Sequence, residues 1–402
     1  MNPNTRLLYP NQDAMDRLNI AFYTDTYLPA VDGVVVSMLN FKRELESRGH
    51  KVYIFASGKK TQVRNRNTFI YHGVGFKPYP QYNVAIFPYN SMLKLRSLDV
   101  DIVHAQTPFV MGFAALMAAK LGRYPLVSTF HTIINSRNVV NAYYPKNERL
   151  KKITKKYVWM YTKFFYGKSD LTIAPTHAVQ SFLSNHGINN TMVVPNSVDI
   201  RRFNPETDGT GLRRAYGIRD DEKVVLYLGR LGREKKLEVM LRAAKIILRK
   251  RNDVRFVIGG HGPAEGYYRD VARRLGIADR VKFLGFVSEK ELPHLYAMSD
   301  MFCMPSTFET QGVVSLEAMA TGKPVVGADY LGLKDTIIKG KNGERFAPGD
   351  YTECARKIEK VLNNSATYRK GAIETAREFS IERATDRLLE AYNFVLSKRA
   401  ID

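Results

Sequence analysis

Apolar positions in this chain come in solid short runs separated by amphipathic stretches, not in single alternation. Asn19 to Tyr23 is the first run, followed by a turn at Asp32-Gly33 and a helical stretch from Ser37 to Arg48. Lys51–Ala56, Asp101–His104, Pro125–Thr129, Asp170–Ala174 and Thr191–Val194 repeat the pattern. Such runs predict strands buried on both faces, and helices between them make parallel βαβ units. Asn196 to Gly211, rich in Asn, Gly and charge, interrupts the rhythm and predicts a linker. The alternation then resumes through Lys223–Leu228, Val254–Ile258, Val281–Leu284, Asp300–Met304 and Pro324–Ala328, and Tyr368–Leu396 reads as helical. The fold class is therefore α/β, with two doubly wound Rossmann-like domains facing across a cleft. The expected boundaries are 1–198, 199–380, and a final helical segment, 381–402, packing back towards the first domain.

Composition narrows the class. With 402 residues, 45% hydrophobic and 25% charged, the chain has material for two cores and is not disordered. Its longest apolar stretch, Phe109–Ala119, falls well short of the ~18–20 residues that span a bilayer. Met1 to Asp16 is polar and has no signal-peptide hydrophobic region, and two cysteines, Cys303 and Cys354, fit a reducing compartment. The expectation is an intracellular protein. Charge is the abnormal quantity. The net value is +22, and residues 1–198 carry 24 basic against 10 acidic side chains. A field of that sign attracts phosphate, nucleic acid or an anionic membrane. A generally lysine-rich surface is the plainer alternative.

Candidate chemistry sits where strands lead into helices. Arg230 and Lys235, in Gly229-Arg-Leu-Gly-Arg-Glu-Lys235, can neutralise a diphosphate, Arg by a fork of donors and Lys as a point charge. Glu309 follows a strand, and Glu317 lies about a turn into the next helix. Between them, Gly312 permits close backbone approach, and the amides of Val313 and Val314 point out of a helix N-terminus. This combination offers one carboxylate for sugar hydroxyls, free N–H groups for phosphate, and a second carboxylate for ribose. Taken singly, each feature also fits an ordinary turn or a solvated helix. No His, Cys and carboxylate cluster has metal-ligand spacing, so no metal is expected.

In order and spacing these motifs resemble the GT-B glycosyltransferases, specifically the large retaining family 4. Glu309 and Glu317 match its Glu-x7-Glu motif, Gly229–Lys235 its Gly-Arg-Leu-x-x-Glu-Lys stretch, and Gly260-His-Gly-Pro263 its Gly-x-Gly-Pro turn. Pro195–Asp199 matches the inter-domain Pro-Asn-x-Val-Asp, while Asp32-Gly33 and Thr129-Phe-His-Thr132 match the N-terminal Gly-Gly loop and strand-end His. Two departures stand out: Asp32 replaces the first glycine of that loop, and Lys236 replaces the glycine usual after Glu-Lys. The resemblance implies transfer of a hexose from a UDP- or GDP-sugar with retention, with no tightly bound cofactor and no dedicated metal. It implies that Arg230 and Lys235 hold the diphosphate, which Gly33 lets the backbone approach, and that Glu309 grips the donor sugar with the amides after Gln311, at Gly312 and Val313, assisting. Glu317 would take the ribose, Phe286-Val287 would lie against the base, Gly262 would join the donor-binding residues, and His131 would face the sugar from the first domain.

The same resemblance makes the first domain the acceptor domain. Its charge is concentrated at Lys146–Lys168, eight basic residues with one acid, Glu148. Ile153, Tyr157, Met160, Tyr161 and Phe164 recur there at helical spacing. Lys151, Lys152, Lys155, Lys156 and Lys163 fill other faces, and Trp159, Phe165 and Tyr166 add aromatic bulk. A basic amphipathic helix with aromatics is suited to an anionic bilayer, and a core-facing helix with solvated lysines is the alternative. A second basic and aromatic stretch, Lys59–Tyr89, is expected to form an acceptor loop region. Glu309-Thr-Gln-Gly312 and Tyr27-Leu-Pro29 with Gly33–Ser37 resemble glycolipid synthases such as diacylglycerol glucosyltransferases and lipid mannosyltransferases. The expected protein is a peripheral enzyme on the cytoplasmic face of the membrane, with a lipid acceptor and no nucleic acid. A soluble sugar or polysaccharide acceptor, a nucleotide-sugar epimerase and a non-enzymatic nucleic-acid binder are the alternatives.

Overall fold

The computed structural model describes residues 17–30, 32–58, 66–76, 79–86, 88, 90–132 and 147–399. The first unit runs β1 (Asn19–Thr24), α1 (Gly33–Ser47), β2 (Lys51–Gly58), β3 (Thr68–Phe76), β4 (Tyr79–Ala85) and α2 (Asn90–Arg96). It continues through β5 (Ile102–Ala105), α3 (Val110–Gly122), β6 (Leu126–Thr129), α4 (Glu148–Gly167), β7 (Leu171–Ala174), α5 (His177–Ser184) and β8 (Thr191–Val193). These strands form one sheet in the order β4-β3-β2-β1-β5-β6-β7-β8, parallel except where β4 turns back on β3. The second unit runs α6 (Thr210–Ala215), β9 (Lys223–Leu228), α7 (Leu237–Leu248), β10 (Val254–Gly259), α8 (Glu265–Leu275), β11 (Val281–Gly285) and α9 (Leu292–Ala297). After these come β12 (Met301–Met304), α10 (Val313–Ala320), β13 (Val325–Ala328), α11 (Leu333–Thr336), β14 (Gly343–Phe346), α12 (Tyr351–Asn363) and α13 (Ser365–Glu378). Its sheet is ordered β11-β10-β9-β12-β13-β14, and α14 (Ile381–Arg399) ends the described chain.

The apolar runs explain the sheets. Ile20, Ala21, Phe22 and Tyr23 of β1 are all fully buried, because successive side chains enter cores on opposite faces. Ala21 and Tyr23 join Phe55, Met111, Ala115, Phe165 and Tyr166 on the α3/α4 side. Ile20 and Phe22 join Met38, Leu45, Ile54 and Val127 on the α1 side, where Leu388, Leu389, Tyr392 and Val395 of α14 complete the same cluster. The final helix thus packs on the first domain, and buried Tyr392 places its hydroxyl 2.7 Å from His104 Nδ1.

Several expectations need correction. Helix α1 begins at Gly33, four residues before the expected Ser37, because the Asp32 carboxylate caps the amides of Val34 and Val35, each at 2.9 Å. The segment after Pro195 is not a loose tether at its start: Asn196 and Ser197 are buried and bonded to Ser37 and Asn40 of α1. Strands β3, β4 and β14 escaped the pattern. In β14, Glu344 is buried yet accepts from Lys357, Lys360 and Tyr368, so a charged residue occupies a core position. Of Lys59–Tyr89, residues 59–65, 77–78, 87 and 89 lie outside the described residues, as does Lys146; Thr68–Phe76 and Tyr79–Ala85 are strands. Among the described residues no helix is long and apolar enough to cross a membrane.

Helix α4 starts at its cap Asn147, whose side chain accepts from Arg149 N and Leu150 N. Its inward face is Thr162, Phe165 and Tyr166. Phe165 is 0% exposed, against the expectation that it meets a membrane; it packs on Tyr166 and Tyr161 and abuts Gly112 of α3. Trp159 is half-buried and packs edge-on against Phe182 and His186. The stripe Leu150, Ile153, Tyr157, Met160 and Phe164 instead faces outward, 47–60% exposed, with Lys152, Lys155, Lys156 and Lys163 exposed beside it. Lys151 is only half-buried and reaches back to Glu148. Phe113, Met117 and Leu121 of α3, with Phe109 at its N-cap, present a second exposed apolar stripe at a four-residue interval, and Tyr161 of α4 donates to Pro108 O at its base.

Candidate functional site

The carboxyl ends of both sheets meet across the junction between the domains. From the second domain, the loop after β9 brings Arg230 and Lys235, and the loop after β12 brings Glu309. Lys235 Nζ donates to Glu309 Oε1 at 2.7 Å. Burial raises the Glu309 carboxyl, but Lys235, Ser306 and Arg230 outweigh it and hold the group below the ordinary carboxylate range. Arg230 in turn contacts the buried carboxylate of Glu234. Each cation is thus held in place by a carboxylate of its own domain.

Glycines make these loops possible. Gly312 has φ +81°, and a Cβ there would lie 2.8 Å from Leu333, so the turn into α10 excludes other residues. At Gly262 a Cβ would lie 2.6–2.8 Å from the Leu231 backbone, pressing the β10 loop onto the β9 loop. The first-domain Gly33, by contrast, has open space where a Cβ would stand. Lys236, at the position of the missing glycine, adopts φ +56° at the start of α7. The amides of Val313 and Val314 open helix α10.

Glu317 lies deeper, at 9% exposure, and accepts from Tyr296 Oη at 2.7 Å. Burial pushes its carboxyl up to about 7, although Tyr296 and Arg202 work against that shift. Phe286 is 82% exposed after β11, whereas Val287 packs beneath it on the core.

The first domain contributes His131, just past β6. Its Nε2 lies 3.0 Å from Gln106 Oε1, and burial lowers its pKa to about 4. The ring is therefore neutral at neutral pH. Because a carboxamide oxygen only accepts, Nε2 carries the hydrogen and Nδ1 is left as an acceptor. Gln106 is itself buried, at the end of β5. At the end of β1, buried Asp25 accepts from Thr107 Oγ1 at 2.5 Å and Met111 N at 2.9 Å, fixing the start of α3. Burial raises its pKa to about 6.

The domains are joined at this same place. Thr310 Oγ1 donates to His131 O at 3.0 Å, and Thr176 Oγ1 donates to Thr310 O at 3.1 Å. Asn196 N donates to Gln311 Oε1 at 2.7 Å while Gln311 Nε2 donates to Asn196 O at 3.1 Å. The Gln311 side chain, read in the sequence as a donor contact, is thus occupied across the junction. Arg230, Lys235 and Glu309 come together as one cluster, and Thr310 carries it to His131; Glu317 is bonded instead to Tyr296, and Phe286 stands exposed to solvent. Asn196 and Thr310 stand inside motifs legible in the sequence, though without a role of their own there, whereas Asp25, Gln106 and Tyr296 stand outside every motif. Of these last three, Asp25 and Gln106 carry a legible signal, a polar side chain just beyond a solid apolar run.

Comparison with known proteins places the chain among the glycosyltransferases. A family model described as glycosyl transferases group 1 matches residues 210–379, and Glycosyltransferase Family 4 matches residues 31–202. The chain is 31% identical over 313 residues to a D-inositol 3-phosphate glycosyltransferase of Geodermatophilus obscurus, covering 75% of this chain and 68% of that one. It is 29% identical over 385 residues to the alpha-monoglucosyldiacylglycerol synthase of Streptococcus pneumoniae, covering 93% and 85%. It is 29% identical over 397 residues to the sulfoquinovosyl transferase SQD2 of Arabidopsis thaliana, covering 95% and 74%. Anabaena HepE, solved with UDP and glucose, superimposes with a TM-score of 0.73 at 20% identity, covering 94% of this chain and all of that one.

Proposed function

Because this chain belongs to the family 4 glycosyltransferases, we propose that it transfers a hexose from a nucleoside-diphosphate sugar to a membrane lipid, with retention at the anomeric carbon. The observation that carries the donor half is the Lys235–Glu309–Arg230 cluster at the carboxyl ends of the second sheet. Arg230 and Lys235 bind the diphosphate and stabilise the charge that develops on it as the glycosidic bond breaks. That binding draws Lys235 from Glu309, and the freed carboxylate accepts from hydroxyls of the donor sugar. Gly312 and the amides of Val313 and Val314 approach the phosphates. Gly33 leaves room for close approach of the donor, Gly262 holds the β10 loop against the β9 loop that carries Arg230, Glu317 takes the ribose, and Phe286 and Val287 line the base. His131 meets the sugar through Nδ1. No side chain is placed as an enzymic nucleophile, so the acceptor hydroxyl attacks from the face the leaving phosphate departs, giving its proton to that phosphate.

The lipid half rests on relatives and on the surface of the first domain. The Streptococcus protein is named as the synthase of a glycolipid, alpha-monoglucosyldiacylglycerol. The outward stripe of α4, flanked by Lys152, Lys155, Lys156 and Lys163, and the exposed stripe of α3 suit the interface of an anionic leaflet. Membrane association of this kind is peripheral. A soluble phosphorylated acceptor is the second reading, favoured by the name of the Geodermatophilus relative. The test is a panel of UDP- and GDP-sugars with vesicles or soluble acceptors. Turnover of a nucleotide sugar that needs vesicles supports the proposal, and turnover that needs only a soluble acceptor supports the second reading.

A further inference from the structure

The loop that carries Glu309 does more than present a carboxylate. Its next two residues touch the first domain at the ends of three consecutive strands. Thr310 Oγ1 donates to the carbonyl of His131, beyond β6, and the Thr310 carbonyl accepts from Thr176, beyond β7. The Gln311 carboxamide pairs with both the N–H and the C=O of Asn196, beyond β8. Gln311 is 1% exposed, and its own carbonyl accepts from Thr336 Oγ1 at 2.9 Å, so the clamp is anchored in the second domain as well. Thr176 is also the cap of α5 and accepts from Val179 N, which fixes its hydroxyl. Ala178 N donates to Asp335 Oδ2 at 2.9 Å, a further cross-domain bond beside the same helix cap.

A general glycosyl-transfer site divided between two domains faces a registration problem. Groups on opposite walls of a cleft hold the donor sugar only at one relative position of those walls. Here the bonds that set the position come from the residues adjoining Glu309 in sequence, and one of them ends on the main chain of His131. We propose that Thr310 and Gln311 are positioning residues that register Glu309 against His131 across the domain junction. They act through Glu309 and His131, not on the sugar, and they link domain closure to alignment of the donor. This inference rests on the reading of Glu309 and His131 as donor-sugar contacts.

The test uses the full-length protein and the nucleotide sugar on which the wild type turns over. Thr310→Val keeps the shape and removes the hydroxyl donor; Gln311→Leu removes both clamp bonds; Thr310→Ser restores the hydroxyl. The expected result is a fall in kcat of about tenfold to a hundredfold for the first two, the scale of a small misalignment. The Kd for the free nucleoside diphosphate should stay within about twofold, because Arg230, Lys235 and Glu317 are untouched. Thr310→Ser should recover most of the rate, and small-angle scattering should report a larger radius of gyration for Gln311→Leu. Unchanged kcat in both Thr310→Val and Gln311→Leu overturns the proposal. So does a parallel loss of kcat, nucleotide affinity and melting temperature that Thr310→Ser does not reverse. Absence of turnover in the wild type with every nucleotide sugar overturns instead the glycosyl-transfer reading on which the inference rests.

Discussion

Lys235 and Glu309 lie 74 residues apart in sequence, on different strand ends, and meet at 2.7 Å between Nζ and Oε1. The pair makes the two sides of the donor site interdependent: a diphosphate that recruits the ammonium releases the carboxylate for the sugar. Lys235→Ala, Arg230→Ala and Glu309→Ala are each expected to lower turnover by about 10²–10³, the usual cost of losing a charge-stabilising group. Lys235→Ala with Glu309→Ala should be far from additive, since the two groups touch. Steady-state kinetics on the three single variants and the double variant check this, with circular dichroism to verify folding. Near-wild-type turnover in an Arg230/Lys235 double variant would show the cluster to be structural.

Glu317 makes stability depend on pH in a defined sense. Its carboxyl is raised to about 7 by burial, so the folded protein holds that proton while the unfolded chain releases it near the ordinary carboxylate value. Between those values the folded state binds more protons, and stability falls as pH rises towards 7. Glu317→Gln should therefore melt close to wild type below pH 4.5 and progressively above it towards pH 8, by about 2–4 °C for each kcal/mol recovered. The same variant should bind nucleotide more weakly, which calorimetry measures. Tyr296→Phe should destabilise at neutral pH by roughly 1–3 kcal/mol, the cost of leaving a buried acceptor unmade.

His131 is expected to contribute no ionisation to the rate near neutrality, because its pKa is lowered to about 4. Wild-type kcat/KM should therefore show no imidazole limb between about pH 5.5 and 8. Gln106→Glu sets a carboxylate beside Nε2, 3.0 Å away in the present geometry, and should raise the imidazole pKa into that window. A new limb in the variant profile is the expected outcome. Identical profiles would mean that the ring does not face Gln106 during turnover.

Replacement of Lys152, Lys155 and Lys156 by Glu should release the enzyme from anionic vesicles, each lysine being worth up to ~1 kcal/mol near such a surface. Replacement of Ile153, Met160 and Phe164 by Ser should weaken attachment in a manner that salt does not imitate. Nucleotide binding should survive both sets. Phe165→Ala belongs to a different class: it empties a core position and should cost ~3–5 kcal/mol of stability. Sedimentation with neutral and anionic vesicles, with thermal melts alongside, separates these outcomes. Equal pelleting of wild type and variants would remove α4 from the membrane surface.

The sheets were legible because their strands are solid apolar runs: Lys223–Leu228 is observed at the expected bounds. The α4 helix was legible as amphipathic, but not which aromatic residues point inward. Phe164 and Phe165 are neighbours of one type, and only packing on Gly112 and Tyr166 decides that the second is buried. Strand β14 was hidden because Glu344 owes its burial to Lys357 and Lys360, which follow it in the chain by thirteen and sixteen residues. The junction contacts were hidden for a related reason. Thr310 and Gln311 are legible as part of the Glu309–Gly312 motif, with Gln311 on the donor side, but their bonds to His131 and Asn196 exist only once the fold brings those residues beside them.

Retaining transfer of a hexose to a lipid leaves its record in the anomeric configuration of the lipid product. The purified protein is incubated with the α-linked nucleotide sugar it consumes and with vesicles containing diacylglycerol and anionic phospholipid. Proton NMR of the extracted lipid then assigns the new linkage. The expected product is a glycolipid with an α-glycosidic bond, formed by wild type and lost in Glu309→Ala. A β-linked product would contradict retention, and consumption of the nucleotide sugar with sugar recovered only on soluble acceptors would contradict the lipid assignment.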